Sequence, residues 1–181
     1  MPRASLVLAA VAVACLAAVT EAQSVAPLRL GVALGASVPT SAHAPLGSHG
    51  VLSLTSHRPD SRLGIRVEAF FDGGHRVYRN VQGLSVTRRQ KTFGLTVNPV
   101  YRLLGNRRGL YVIAGLGVYH RVDEYEPAFS DEVQRWTVTE LALNAGLGID
   151  FRAFGHDMFV ESRLHTDPFA DRVPVTIGIR F

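Results

Sequence analysis

Apolar side chains fall at every second position in eight separate stretches of this chain, the period of a β-strand with two unlike faces. The first sets Leu28, Leu30, Val32, Leu34, Ala36 and Val38 against Arg29, Gly31, Ala33, Gly35 and Ser37. A weaker one covers 49–56, with Leu52 and Leu54 against Ser53 and Thr55. The third runs over 62–71 and sets Leu63, Ile65, Val67, Ala69 and Phe71 against Arg62, Gly64, Arg66, Glu68 and Phe70. The rest lie over 92–103, 110–119, 140–151, 158–165 and 173–181. Eight strands of about ten residues are predicted, the length of a tilted strand that crosses a bilayer.

The predicted connections carry a second signal. Those at 57–61, 104–108 and 152–156 are short and rich in Pro, Gly, Asn and Asp, the residues that build tight turns. Those at 39–48, 72–90 and 120–136 are longer, and 166–172 is intermediate. Short turns on one rim and long loops on the other are the asymmetry of a membrane barrel with its turns in the periplasm.

The size of the residues says which face looks inward. The less apolar face carries glycines 31, 35, 64, 94, 115, 117, 146, 148 and 178 together with long charged groups. Glycine weakens a strand, so a water-exposed outer face gains nothing from it. A narrow eight-stranded interior needs it, because Arg and Glu filling that space require small neighbours. Arg66 and Glu68 on the third strand, and Glu161 and Arg163 on the seventh, lie on strands four apart in the barrel. Their side chains are expected to meet near the axis as a polar plug, since secluded charges must be paired.

Composition changes the picture at the N-terminus. Of the first 22 residues, 17 are hydrophobic, against 47% for the whole chain. The remainder is roughly 43% apolar, which is ordinary for a globular protein. Arg3, the apolar stretch Leu6–Val19 and the small residues of Thr20-Glu21-Ala22 give the layout of a secretory signal, cleaved before Gln23. Residues 1–22 are therefore expected to be removed, leaving 23–181 as one barrel domain. The single cysteine, Cys15, would leave with that segment, which excludes disulfides, thiol catalysis and thiolate metal sites from the mature chain.

Particular segments carry a family resemblance: Leu30-Gly31-Val32, Tyr111-Val112-Ile113-Ala114-Gly115-Leu116-Gly117, Asn144-Ala145-Gly146-Leu147-Gly148, Phe159-Val160-Glu161-Ser162-Arg163 and the ending Pro174–Phe181. With them the chain resembles the small outer-membrane β-barrel family, whose eight-stranded members include barrels of the OmpX and OmpA type. The resemblance implies a location in the Gram-negative outer membrane. It also implies contact with the assembly machinery through a signal ending in Phe181, and no peptidoglycan-binding domain.

Some barrels of this kind modify lipid A, and a deacylase among them uses a His-x-Ser pair. His165-Thr166-Asp167 stands near the outer end of the seventh strand, but Asp167 occupies the serine position, so that nucleophile is missing. Palmitoyl transfer, which depends on geometry more than motif, stays open. The seven histidines show no paired metal spacing; no metal, cofactor or nucleic acid is expected. Charge is unevenly placed: 72–91 holds Arg76, Arg79, Arg88, Arg89 and Lys91 against Asp72, while 120–136 is rich in Asp and Glu. The two loops are expected either to pair with each other or to leave Arg76, Arg79, Arg88 and Arg89 gripping lipopolysaccharide phosphates, which Arg binds bidentately.

The expected molecule is thus all-β: a closed eight-stranded antiparallel up-and-down barrel, exported, monomeric and surrounded by outer-membrane lipid. Its expected role is structural or surface-interactive. The alternatives are a lipid A-modifying enzyme, a narrow pore and, more distantly, a soluble ligand-carrying barrel.

Overall fold

The computed structural model describes residues 27–40, 46–58, 61–79, 85–104, 108–127, 133–166 and 172–181; in 75–79, 85–86 and 127 only the backbone is described. The expected signal segment, residues 1–22, and Cys15 lie outside the described residues. Eight strands follow in order: β1 (Leu28–Pro39), β2 (Gly47–His57), β3 (Leu63–Arg79), β4 (Ser85–Arg102), β5 (Gly109–Pro127), β6 (Gln134–Ala153), β7 (His156–Thr166) and β8 (Arg172–Arg180). Each pairs antiparallel with its neighbour, and β8 returns to β1 to close the barrel. The closing seam runs from Gly31 opposite Arg180 to Pro39 opposite Arg172. Closure leaves no unpaired edge around the wall, which a lipid environment demands.

Alternation places the two faces as glycine and charge implied. Leu30, Leu34, Leu54, Leu95, Leu143 and Ile177 are exposed on the outside, while Arg66, Glu68, Asn98, Asp150, Glu161 and Arg163 are buried within. This partition is the inverse of a water-soluble barrel and suits an outer wall bathed in hydrocarbon. Aromatic residues mark both ends of the apolar band. Phe71 and Phe93 pack together toward the long-loop side, and Tyr101 and Phe181 are exposed toward the turn side.

Four strands depart from the expected lengths. β3, β4, β5 and β6 have 17, 18, 19 and 20 residues, so much of the expected 72–90 and 120–136 loops is strand. Beyond the barrel wall they form a four-stranded ridge on the loop side. In it Arg79 is opposite Ser85, Val86 opposite Pro127 and Tyr125 opposite Gln134. The period-two signal fades there because neither face of the ridge is uniformly apolar, whereas the wall below has an apolar outer face and a polar inner one.

Candidate functional site

The barrel interior is built in layers, each closed by ion pairs from strands on different sides of the wall. In the middle layer the two-residue spacing of Arg66 and Glu68 on β3, and of Glu161 and Arg163 on β7, turns all four side chains inward. Arg66 Nη1 donates to Glu161 Oε2 at 2.7 Å, and Arg163 Nη2 donates to Glu68 Oε1 at 2.6 Å. Arg163 also donates through Nε to Glu161. Both carboxylates take further neutral donors: Asn98 Nδ2 reaches Glu68 at 2.8 Å, and the Tyr111 hydroxyl reaches Glu161 at 2.7 Å. The four sequence-chosen plug residues are therefore brought together across the axis, with two partners, Asn98 and Tyr111, that the charge pattern did not single out.

Toward the turn rim, Asp150 accepts from Arg102 at 2.7 Å and from Arg180. The Arg180 guanidinium lies 4.4 Å from the centre of the Phe159 ring, where the π face favours a cation. Toward the loop rim, Asp72 accepts from Arg172 at 2.6 Å and lies 3.4 Å from His49 Nδ1. Between that layer and the plug, Phe70 packs edge-on to Tyr119 and His165. Three of these inward aromatics stand over glycines on the adjacent strand: Phe70 opposite Gly94, Tyr111 opposite Gly148 and Phe159 opposite Gly178. A Cβ at any of the three would run into the ring. The interior glycines thus make room for rings as well as for arginine.

His165, considered for lipid A chemistry, faces inward; its Nδ1 is 2.9 Å from the Tyr119 hydroxyl. The Thr166 hydroxyl donates to the Leu143 carbonyl, and Asp167 lies outside the described residues. Among the described residues no group of three or more His, Asp or Glu is placed to hold a metal ion.

The ridge brings the basic and acidic stretches onto neighbouring strands. Arg88 donates to Asp123 through Nε and Nη2 and lies over the Tyr125 ring, which in turn meets Trp136 edge-to-face. Arg89 pairs with Glu126 at 3.3 Å. Arg76 and Arg79 lie on β3 of the ridge, and their side chains are outside the described residues. Because Arg89 and Glu126 are both about half exposed, R89A should cost no more than about 1 kcal/mol in urea unfolding; a loss comparable to an interior variant would show the ridge to be part of the folding core.

No protein-family model and no curated protein matches the sequence. Solved structures do match its fold. Ail, the attachment invasion locus protein of Yersinia pestis, is 15% identical with a TM-score of 0.54, covering 86% of this chain and 97% of that one. A major outer membrane protein from Thermus thermophilus is 14% identical with a TM-score of 0.56, covering 85% and 99%. Neisserial surface protein A is 11% identical with a TM-score of 0.54, covering 84% and 95%. At these identities the likeness is one of fold: this chain is a small eight-stranded barrel of the outer-membrane type.

Proposed function

We propose that the chain is a resident of the Gram-negative outer membrane whose work is done by the ridge, as a surface for contact with molecules outside the cell. The observation that carries this reading is the extension of β3–β6 beyond a wall whose interior is crossed by ion pairs. The ridge offers Trp136, half-exposed, beside Tyr125 and Arg88, whereas the interior offers a solute only buried pairs that it would have to break. One structure of Ail was determined with a heparin analogue, sucrose octasulfate, so a barrel of this fold has accommodated a polyanionic sugar. For this chain, the corresponding candidates are the lipopolysaccharide phosphates. Arg88 and Arg89 would have to exchange Asp123 and Glu126 for phosphate, and Arg76 and Arg79 share their ridge. Charge reversal, R88E with R89E, should then lower lipopolysaccharide affinity; unchanged affinity removes phosphate gripping from the reading.

The plugged interior argues against the pore. Purified barrel in a planar bilayer should give no steady conductance, and stable single-channel steps would show that solutes pass the Glu68–Arg163 layer. The lipid A-modifying alternative lacks support from His165, which is inside the wall rather than against the acyl chains. A radiolabelled acyl-transfer assay with lipid A tests that alternative, with no product expected.

A further inference from the structure

Charge is distributed unequally between the two ends of the barrel. Among the described side chains, those at the turn rim (within 28–29, 57–62, 102–110, 150–157 and 180–181) include seven arginines against two aspartates. Those on the loop side (within 37–49, 72–92, 119–142 and 165–173) include six basic residues against five acidic ones. Two of the turn-rim arginines, Arg102 and Arg180, are consumed inside by Asp150. Arg58, Arg62 and Arg152 are exposed, with no carboxylate at ion-pair distance among the described residues. Arg29 and Arg108 share one carboxylate, Asp157, at 3.2 and 3.6 Å, so that cluster keeps a net positive charge.

Apolar side chains fix the depth of this belt. Leu63 follows Arg62, Leu28 precedes Arg29, and Leu104 lies four residues before Arg108; all three leucines are more than half exposed. The β6–β7 turn goes further. Phe154 is 94% exposed and sits at φ 52°, a left-handed conformation that a bulky side chain adopts only at a cost. The Arg152 guanidinium donates to the Gly155 carbonyl and holds the turn. In water this arrangement strains the backbone to display a phenyl ring. At the boundary between hydrocarbon and headgroups, the ring would be an anchor and the arginines would lie level with phosphates.

We infer that the turn rim is a binding belt for anionic phospholipid headgroups, in which Arg58, Arg62, Arg108 and Arg152 contact phosphate and Phe154 sets the depth. This rests on the outer-membrane reading, which puts the turns at the phospholipid leaflet. A wall component farther from the membrane would not explain arginines set directly beside outward leucines, as Arg29 is beside Leu28 and Arg62 beside Leu63.

Electron paramagnetic resonance of spin-labelled phosphatidylglycerol and phosphatidylcholine, in vesicles holding the full barrel, reads the test. The native barrel should immobilise the anionic lipid in about fivefold preference, a ratio that a single interfacial arginine can supply. Salt should weaken the preference. The R58Q/R62Q/R108Q variant should lose it, while the loop-side variant R89Q/R135Q keeps it. Where the triple variant fails to fold, judged by its migration on unboiled gels, R58Q/R62Q takes its place, because neither side chain holds a described partner. An inserted native barrel with no anionic preference, or a preference abolished by the loop-side variant alone, overturns the belt. So does a native rim that captures soluble muropeptides while ignoring phosphatidylglycerol. A native barrel that does not insert into vesicles overturns the membrane reading itself.

Discussion

Replacing Glu161 by alanine should cost about 3–5 kcal/mol of unfolding free energy in detergent, the range for removing one partner of a buried ion pair. Glu161 is 4% exposed and accepts from Arg66, Arg163 and Tyr111. Its loss strands the Arg66 guanidinium on Glu68 Oε1 alone, at 3.4 Å, and leaves the Tyr111 hydroxyl without its carboxylate. E124A removes a ridge pair in which Arg135 is 3.8 Å away and mostly exposed, so it should cost about 1 kcal/mol or less. Urea titration followed on unboiled gels separates the two. Equal midpoints would mean that the cross-axis pairs do not hold the barrel together.

Gly148 gives the second large effect. It lies opposite Tyr111 on the adjacent strand, and a Cβ added there meets the phenol ring and its oxygen. G148V should therefore destabilise by about 1–3 kcal/mol through overpacking, with a further loss if the ring leaves Glu161. G148A isolates the Cβ and should cost less. The cause is separable by a double-mutant cycle with Y111L. If the ring is what the Cβ strikes, G148A costs less in the Y111L background than in the native one. The same penalty in both backgrounds would place the strain in the backbone instead.

The wall is readable from the sequence because hydrocarbon on one side and a narrow polar interior on the other impose a strict alternation. That alternation predicts β1 over 28–38, and the strand is Leu28–Pro39; it predicts β7 over 158–165, and the strand is His156–Thr166. The ridge is not readable by that means, since neither of its faces is uniformly apolar and hydrophobic period carries no information there. A different signal is present: Arg88-Arg89 on β4 and Asp123-Glu124 on β5 are runs of opposite charge that the register sets within one residue of each other, with Arg89 opposite Glu124, as cross-strand pairing favours.

The interior divides in the same way. Arg66 with Glu68, and Glu161 with Arg163, announce themselves because each pair is spaced by two on one strand. The layers around Asp150 and Asp72 draw single charges from β4, β6 and β8 and from β2, β3 and β8. Those meetings depend on strand register and on the stagger of the closed barrel, which no local pattern encodes. The extra basic charge of the turn rim is likewise dispersed over five stretches and becomes a belt only when closure gathers them.

The most direct test is to fractionate cells expressing the full chain and compare boiled with unboiled samples by electrophoresis. A lipid-facing closed barrel should be found in the outer-membrane fraction and should migrate differently before boiling, because backbone closure resists detergent at room temperature. Recovery in the soluble periplasmic fraction, with identical migration before and after boiling, would contradict a barrel that wears its apolar face outward.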